Sequence, residues 1–365
     1  MDVPNTHTNP NPTCQEQQTI TRITIHNPVS CHYECIESVI HYLPFILRTK
    51  HDEIQRQTQN PILVLSIVPE PGFIKYITTY KDKLIQKYAL RDIIITPTLD
   101  VGYTENPDIN KIVKQAEPGE IRIQLTIPSG EVSKPEIFNW PNIYYIFHNY
   151  RPNIATPDNI FFLSPHCSVN RPNNYFIPDV LPFSAKSVSY TDRPRQIPIS
   201  EGAWILVQGR LTRRVPALIK ILNKFICATI TGQVGNTQIQ PANLVILTKS
   251  NSLDIETALN IHMITNSDFW EFHQWAAKCN IIATLVSKQT HNKYYTSKLT
   301  SSISYGLAYQ MRFLIDRELN DIYFPDTKEI SEKQTNKITH GIYTTRQEFI
   351  KSLKAICAAD SVGGN

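Results

Sequence analysis

Short apolar runs alternate with longer amphipathic ones from residue 21 onward. Arg22-Ile23-Thr24-Ile25-His26 is β-branched and short, which predicts a strand, and Asn27-Pro28-Val29-Ser30 follows as a turn. His32 opens an amphipathic run through Leu47, where Ile36, Val39, Ile40, Leu43, Ile46 and Leu47 recur at helical spacing. A second strand is predicted over 62–68, a helix over 73–90 and a third strand over 91–96. Further strand signals sit at 121–127, 143–148 and 160–163. Apolar β-branched runs that alternate with helices imply a parallel sheet covered on both faces.

The chain changes character between about 165 and 200, where Pro, Asn and Ser accumulate and periodicity fades. The later part of that stretch reads as a linker, although proline-rich loops need no domain boundary. A new series then starts with a strand over 203–208, and a helix that carries Pro216 in its first turn runs to about Lys224. Strands at 226–231 and 243–248, a helix over 268–279 and a strand over 280–286 follow. A helix over 300–312, a short strand at 313–315 and a terminal helix over 345–358 complete the pattern. This predicts an α/β fold of two Rossmann-like domains facing a cleft. The expected division is a flexible tail over 1–20, a first domain over 21–190, a second over 200–345, and a terminal helix and tail over 346–365.

At 365 residues the chain is long enough for two domains, each with a core of its own. A net charge of +4, with no dense Lys/Arg stripe, argues against a nucleic-acid partner and still suits a cleft that receives an anion. The 7 cysteines are odd in number and form no C-x-x-C pair, so neither a disulfide framework nor a zinc ribbon is expected. Residues 1–20 lack an apolar core, and no run of about 18 apolar residues occurs, so neither a signal peptide nor a membrane span is expected. A soluble, cytoplasmic protein is the expectation.

Three segments can carry chemistry. The turn after strand 203–208 reads Gly209-Arg210-Leu211-Thr212-Arg213-Arg214. Ligands of parallel sheets gather at the carboxyl ends of strands, where glycine lets a backbone approach closely and helix N-termini favour anions. Arginines there oppose the helix dipole and make sense beside a diphosphate; the alternative is a solvated basic helix start. The second segment runs from Tyr294 to Tyr305 after the apolar strand. There Lys298 supplies charge, and Thr300, Ser301 and Ser302 supply a cap and hydroxyl donors, although such clusters are more often simple caps. It is not a Walker A loop. The third segment is the first strand–helix turn, where His32 and Glu34 stand at a helix start as candidate general bases. Glu34 and Glu37 can equally be dipole partners.

Other residues have a weaker claim. His148 and Asn149 end a strand and either line an acceptor pocket or cap that strand. His26 reads as a structural hydrogen-bonding residue, and Trp270 and Trp275 as core. His291 is a candidate for contact with a donor phosphate, although a lone loop histidine is usually solvent-facing, while Tyr294 and Tyr295 are candidates for stacking on a base or sugar. His32 with Cys31 and Cys35 does not read as a metal site, because no fourth ligand is evident.

With these residues in view, the C-terminal half resembles the donor-binding domain of GT-B glycosyltransferases. The resemblance rests on WILVQGRLTRR followed by SKLTSSISYGLAYQMRFLID in the expected order. It implies a nucleotide sugar, UDP- or GDP-linked, whose diphosphate meets Gly209, Arg210, Arg213, Arg214, Lys298, Thr300, Ser301 and Ser302. By the same analogy His32 and Glu34 face a glycan or glycoconjugate acceptor. The chain is also similar in flavour to divergent GT-B enzymes of large DNA viruses and algae. It departs from the family in lacking the E-x(7)-E element of retaining enzymes, which leans the reading towards inversion and leaves Glu318 as a weak candidate for the donor ribose. No D-x-D motif occurs, so no metal or cofactor is expected, and the diphosphate would be stabilised by arginines, lysine and helix dipoles.

Two rivals remain. An NAD-dependent oxidoreductase or nucleotide-sugar epimerase would want G-x-G-x-x-G after an early strand, whereas the first strand here is followed by HNPVSCHYE, which has no glycine. A non-catalytic nucleotide- or glycan-binding protein of the same fold stays open, and a hydrolysis assay on nucleotide sugars would separate it from an enzyme.

Overall fold

The computed structural model describes residues 20–47, 60–101, 112–125, 135–147, 158–164, 176, 178, 204–209, 243–248, 260–286, 288–296, 298–309, 311–315 and 317–323. Within them the chain forms two all-parallel sheets. The first contains β1 (Arg22–Asn27), β2 (Ile62–Ile67), β3 (Asp92–Pro97), β4 (Glu120–Leu125), β5 (Ile143–Phe147) and β6 (Ile160–Phe162) in the order β3-β2-β1-β4-β5-β6. The second contains β7 (Trp204–Gln208), β8 (Asn243–Thr248), β9 (Asn260–Thr265), β10 (Ile281–Ala283) and β11 (Arg312–Leu314) in the order β11-β10-β7-β8-β9. Both sheets therefore wind alike. The first strand of each is central, the next two strands lie to one side, and the later ones lie to the other. This is the expected α/β class with Rossmann-like winding. The strand order reverses between β1 and β4 and again between β7 and β10, which are the places where such sheets take ligands.

The helices follow from the same pattern. The predicted run 32–47 breaks into α1 (Glu34–His41) and α2 (Leu43–Leu47), with Tyr42 at the C-cap between them. The later helices are α3 (Pro71–Tyr88), α4 (Phe269–Ala276), α5 (Lys288–His291), α6 (Lys293–Thr296), α7 (Ser301–Ala308) and α8 (Arg317–Tyr323). Ala89 closes α3 in the left-handed region at φ 49, and its N–H returns to the Ile85 carbonyl. The first core gathers Ile23, Ile25, Leu63, Leu65, Ile121 and Ile123 from the central strands, with Ile36, Val39, Phe73 and Tyr76 covering them, and it continues into the second sheet through Leu206, Val245, Ile282, Ile303 and Phe313. A separate, smaller one gathers Val113, Ile137, Phe138, Ile143, Tyr145, Phe147, Ile160 and Phe162.

The two sheets meet where α3 and α4 start. Glu70 caps α3 by accepting from Phe73 N–H, and its other carboxylate oxygen accepts from Phe269 N–H of α4 at 3.1 Å. One carboxylate thus serves two positive helix ends. Gly72 is required here, because a Cβ on it would stand 2.8 Å from both the Asp268 side chain and the Trp270 backbone N. Phe73 meets Phe269 edge-on with centroids 5.0 Å apart, and Trp270 stacks on Tyr80 at 6.0 Å. Trp270 and Trp275, expected as core, are half-buried packers at its margin.

The predicted helix from Arg210 to Lys224, the strand 226–231, the linker and the terminal helix lie outside the described residues. Strand β9 and helix α8 were not anticipated from the sequence pattern.

Candidate functional site

At the carboxyl end of β7, Gln208 and Gly209 meet the start of α7. Gln208 Nε2 donates to Ser301 Oγ at 3.1 Å and to Ser302 Oγ at 3.4 Å. The two segments that the sequence offered as anion cradles are therefore neighbours across the β7/β10 switch point. Gly209 has φ 114, a conformation that L side chains rarely adopt, and a Cβ there would meet nothing within 4 Å. Among the described residues, open space lies over this backbone.

Two expected backbone donors are already engaged. Gly209 N–H bonds the Leu247 carbonyl at 3.1 Å, and Thr300 N–H donates to Tyr323 Oη at 3.0 Å. Thr300 occupies the N-cap of α7 but makes no side-chain capping bond. The Ser301 and Ser302 N–H groups remain as the first-turn donors that a helix cannot satisfy internally. Lys298 places its ammonium 6.0 Å from the Tyr294 ring centroid, and Tyr294 stacks with His291 at 5.8 Å. Tyr295 is buried, with its hydroxyl donating to the Val286 carbonyl at 3.3 Å, and so is not a stacking surface. Glu318 pairs with Lys288. Arg210, Arg213, Arg214, His148 and Asn149 lie outside the described residues.

The other half of the site stands at the carboxyl end of β1. Asn27 is fully buried there, and its Nδ2 donates to the Val29 carbonyl at 3.3 Å and to the Cys31 carbonyl at 2.8 Å, pinning the loop. His32 then turns the chain through φ 64, and α1 begins two residues later without a side-chain cap. His32 Nδ1 and Glu34 Oε1 are 3.4 Å apart, with side-chain exposures of 23% and 17%. Burial alone would lower the His32 pKa. Hydrogen bonds with Cys31, Cys35 and Glu34, together with the Glu34 charge, instead hold it well above the usual value. Burial would likewise raise Glu34, yet its bond to His32 and the nearby positive charge hold it below the ordinary carboxylate range. The pair is therefore an imidazolium and a carboxylate at neutral pH, and of the two only Glu34 can accept a proton.

This pair faces the second half of the chain. The Glu34 charge acts on His273 and Tyr305, and the His32 charge acts on Tyr294. His273 is buried in α4, its Nδ1 2.5 Å from the Tyr309 hydroxyl, and its Nε2 has no hydrogen-bond partner among the described residues. Burial pushes its pKa down to about 3. Among the described residues, His32, Glu34 and Cys35 form the one group whose ligand atoms come together as a metal site requires.

Gln208, His273 and Tyr305 were missed from the sequence. Gln208 carried a signal, a polar residue that ends an apolar strand; the other two carried none. His26 keeps the structural role expected of it. Its Nδ1 donates to Gln124 Oε1 at 2.8 Å, and burial lowers its pKa. Glu37 is also structural, buried beneath Tyr76, Lys87 and Tyr88, whose polar groups donate to it.

No protein-family model and no curated protein matches the chain. Solved structures similar to it include a Listeria monocytogenes protein provisionally named UDP-N-acetylglucosamine 2-epimerase, at 10% identity and a TM-score of 0.39, over 93% of this chain and 89% of that one. Another is the Neisseria meningitidis UDP-GlcNAc 2-epimerase bound to UDP-GlcNAc, at 10% identity and a TM-score of 0.38, over 94% and 92% of the two chains. Likeness at that level carries no argument about activity. Neither neighbour bears on the similarity to viral and algal enzymes. No helix among the described residues is long and apolar enough to cross a membrane.

Proposed function

We propose that this chain is a glycosyltransferase that moves a sugar, hexose or pentose, from a UDP- or GDP-linked donor to a glycan hydroxyl, with inversion. The donor diphosphate lies over Gly209 and the N-terminus of α7. Ser301 and Ser302 hold it there with Lys298, Thr300, Arg210, Arg213 and Arg214, and no metal is needed at the phosphates. The acceptor lies against His32 and Glu34, with His148 and Asn149 on its side. Glu34 takes the proton from the attacking hydroxyl, and His32 orients the carboxylate.

The observation that carries this reading is the Gln208 contact with Ser301 and Ser302. It puts a strand-end glycine and a helix N-terminus side by side at a switch point, where backbone donors and the helix dipole favour an anion. The placement of the His32–Glu34 pair towards α4, α6 and α7 supports a second substrate at the same seam.

The test is product analysis by mass spectrometry after incubation with UDP-GlcNAc, other UDP- and GDP-sugars and a panel of oligosaccharides. Transfer requires a mass gain on an acceptor, and Glu34→Gln should lower kcat by about 100-fold or more. An altered sugar nucleotide with no acceptor gain would replace transfer by epimerisation. Binding with the donor intact would leave a non-catalytic nucleotide- or glycan-binding protein.

A further inference from the structure

We propose that the head of α1 is a binding site for a soft divalent metal ion, Zn2+, with His32, Glu34 and Cys35 as its protein ligands. One donor atom from each of these residues lies within 4.8 Å of the other two. His32 Nδ1 and Glu34 Oε1 are already 3.4 Å apart. Zinc bonds of about 2.0–2.2 Å to nitrogen and oxygen in a tetrahedron put such atoms roughly 3.4 Å apart. One edge of the tetrahedron is therefore in place. With a Zn–S bond of about 2.3 Å, the sulfur edges measure roughly 3.6 Å, so the thiol must close by about 1 Å at most.

The local sequence explains why these three converge. On an extended chain positions i and i+2 share a face but i+3 points to the other, so the three would not converge. The left-handed turn at His32 folds the imidazole back over the first turn of α1, where Glu34 and Cys35 follow. Cys35 N–H closes that turn onto the His32 carbonyl at 3.0 Å. Asn27 anchors the loop from below through the Val29 and Cys31 carbonyls. Cys35 is buried in the first core, so its sulfur stands on a rigid element. The thiol of Cys31 is in hydrogen-bonding reach of His32 but stands outside the group of three donor atoms, so a water would complete the coordination. Burial pushes the pKa of the Cys35 thiol up to about 11 and His32 carries a proton, so zinc binding must release both protons; the resulting imidazole and thiolate beside one carboxylate favour zinc over magnesium or calcium. The sequence grouped His32 with Cys31 and Cys35 and offered no fourth ligand; the structure puts Glu34 in the place of Cys31 and leaves the fourth position to solvent.

The consequence rests on the proposed function. If Glu34 accepts the acceptor proton with His32 beside it, an ion that engages both side chains removes the base, so zinc inhibits transfer.

The test uses the full chain, freed of metal by chelator dialysis and titrated with Co2+ as a spectroscopic stand-in. A thiolate-to-cobalt charge-transfer band should rise to one equivalent and be displaced by Zn2+. It should vanish in Cys35→Ser, and His32→Ala and Glu34→Gln should each weaken binding by more than about tenfold. Because Cys35→Ser alters a buried position, its metal-free melting curve is compared with wild type, and the half-exposed His32→Ala serves as the second variant. Absence of a thiolate band in the wild type, or a band unchanged in Cys35→Ser and His32→Ala, would overturn the site. A cobalt band in a protein that transfers no sugar sinks the transferase reading and keeps the site. Zinc-insensitive transfer without a band does the reverse.

Discussion

The two sheets share one winding order, yet they bury different chemistry. The first holds charge. Glu120 lies beneath Thr24, whose hydroxyl donates to it at 2.5 Å, with Arg122 at 3.3 Å and Arg22 at 3.7 Å. Glu37 sits under Tyr76, Lys87 and Tyr88 in the same half. Both halves bury hydroxyls and an imidazole, but among the described residues the second buries no carboxylate: its buried polar groups are Thr248, Thr284, Thr300, Ser302, Ser304 and His273. Ser304 Oγ and His273 Nε2 have no hydrogen-bond partner among the described residues. Buried charges that are paired fix a framework and are costly to disturb, and here only Arg122 Nε among these charged groups has no hydrogen-bond partner among the described residues. Neutral donors near a strand end and helix start cost less to bury and can be turned towards an incoming anion. The first half therefore reads as scaffold, and the second, under the proposed function, as the side that would receive the donor.

The comparison can be broken most sharply at Glu37. Glu37→Ala leaves the Lys87 ammonium and two tyrosine hydroxyls without their acceptor and should destabilise the protein by about 3–5 kcal/mol in urea unfolding. A loss below about 1 kcal/mol would mean that the buried charge of the first half is not structural.

Acid tests the second half. His273 has a folded pKa of about 3 against 6.5 unfolded, so below pH 6.5 the unfolded state binds the extra proton and stability falls as pH falls towards 3. At pH 5 the loss from this one group should be about 2 kcal/mol relative to pH 7.5. His273→Phe should flatten that part of the melting-temperature profile, and an unchanged profile would exclude His273 as its source.

A smaller effect sharpens the junction between the halves. Glu70→Ala removes the cap of α3 and the bond to α4 together and should cost about 2 kcal/mol, whereas Asp268→Ala, with one cap lost, should cost about 1 kcal/mol. Equal losses would show that Glu70 serves only its own helix.

Much of the fold was legible because buried parallel strands read as apolar runs. β1, β2, β3, β5 and β8 sit within a residue or two of their predicted limits. β9 escaped because Asn260–Thr265 lies at a sheet edge and is half-buried or exposed throughout, so it lacks a continuous apolar run. The predicted strand 280–286 shrinks to Ile281–Ala283 because its last residues lead into α5 rather than pairing. In the site, His32 and Glu34 were legible as local neighbours at a helix start. Their contact with Cys35 was half-legible, since helical spacing brings i and i+3 together but the left-handed turn at His32 has no sequence signal. The approach of His273 and Tyr305 to Glu34 joins residues far apart in the chain, and no local pattern encodes it.

The central claim is that an anionic nucleotide sits over Gly209 and the start of α7. It is tested most directly by thermal shift with UDP, GDP and their sugars on wild type and on Ser301→Asp. Aspartate in the first turn suits the helix dipole and still accepts the Gln208 amide, so the variant should fold, but its charge repels a diphosphate. Wild type should gain about 2.7 kcal/mol with ligand at 100 times its dissociation constant, and Ser301→Asp should gain almost nothing. Equal shifts in the two proteins, or no shift in wild type with any nucleotide, would contradict the account.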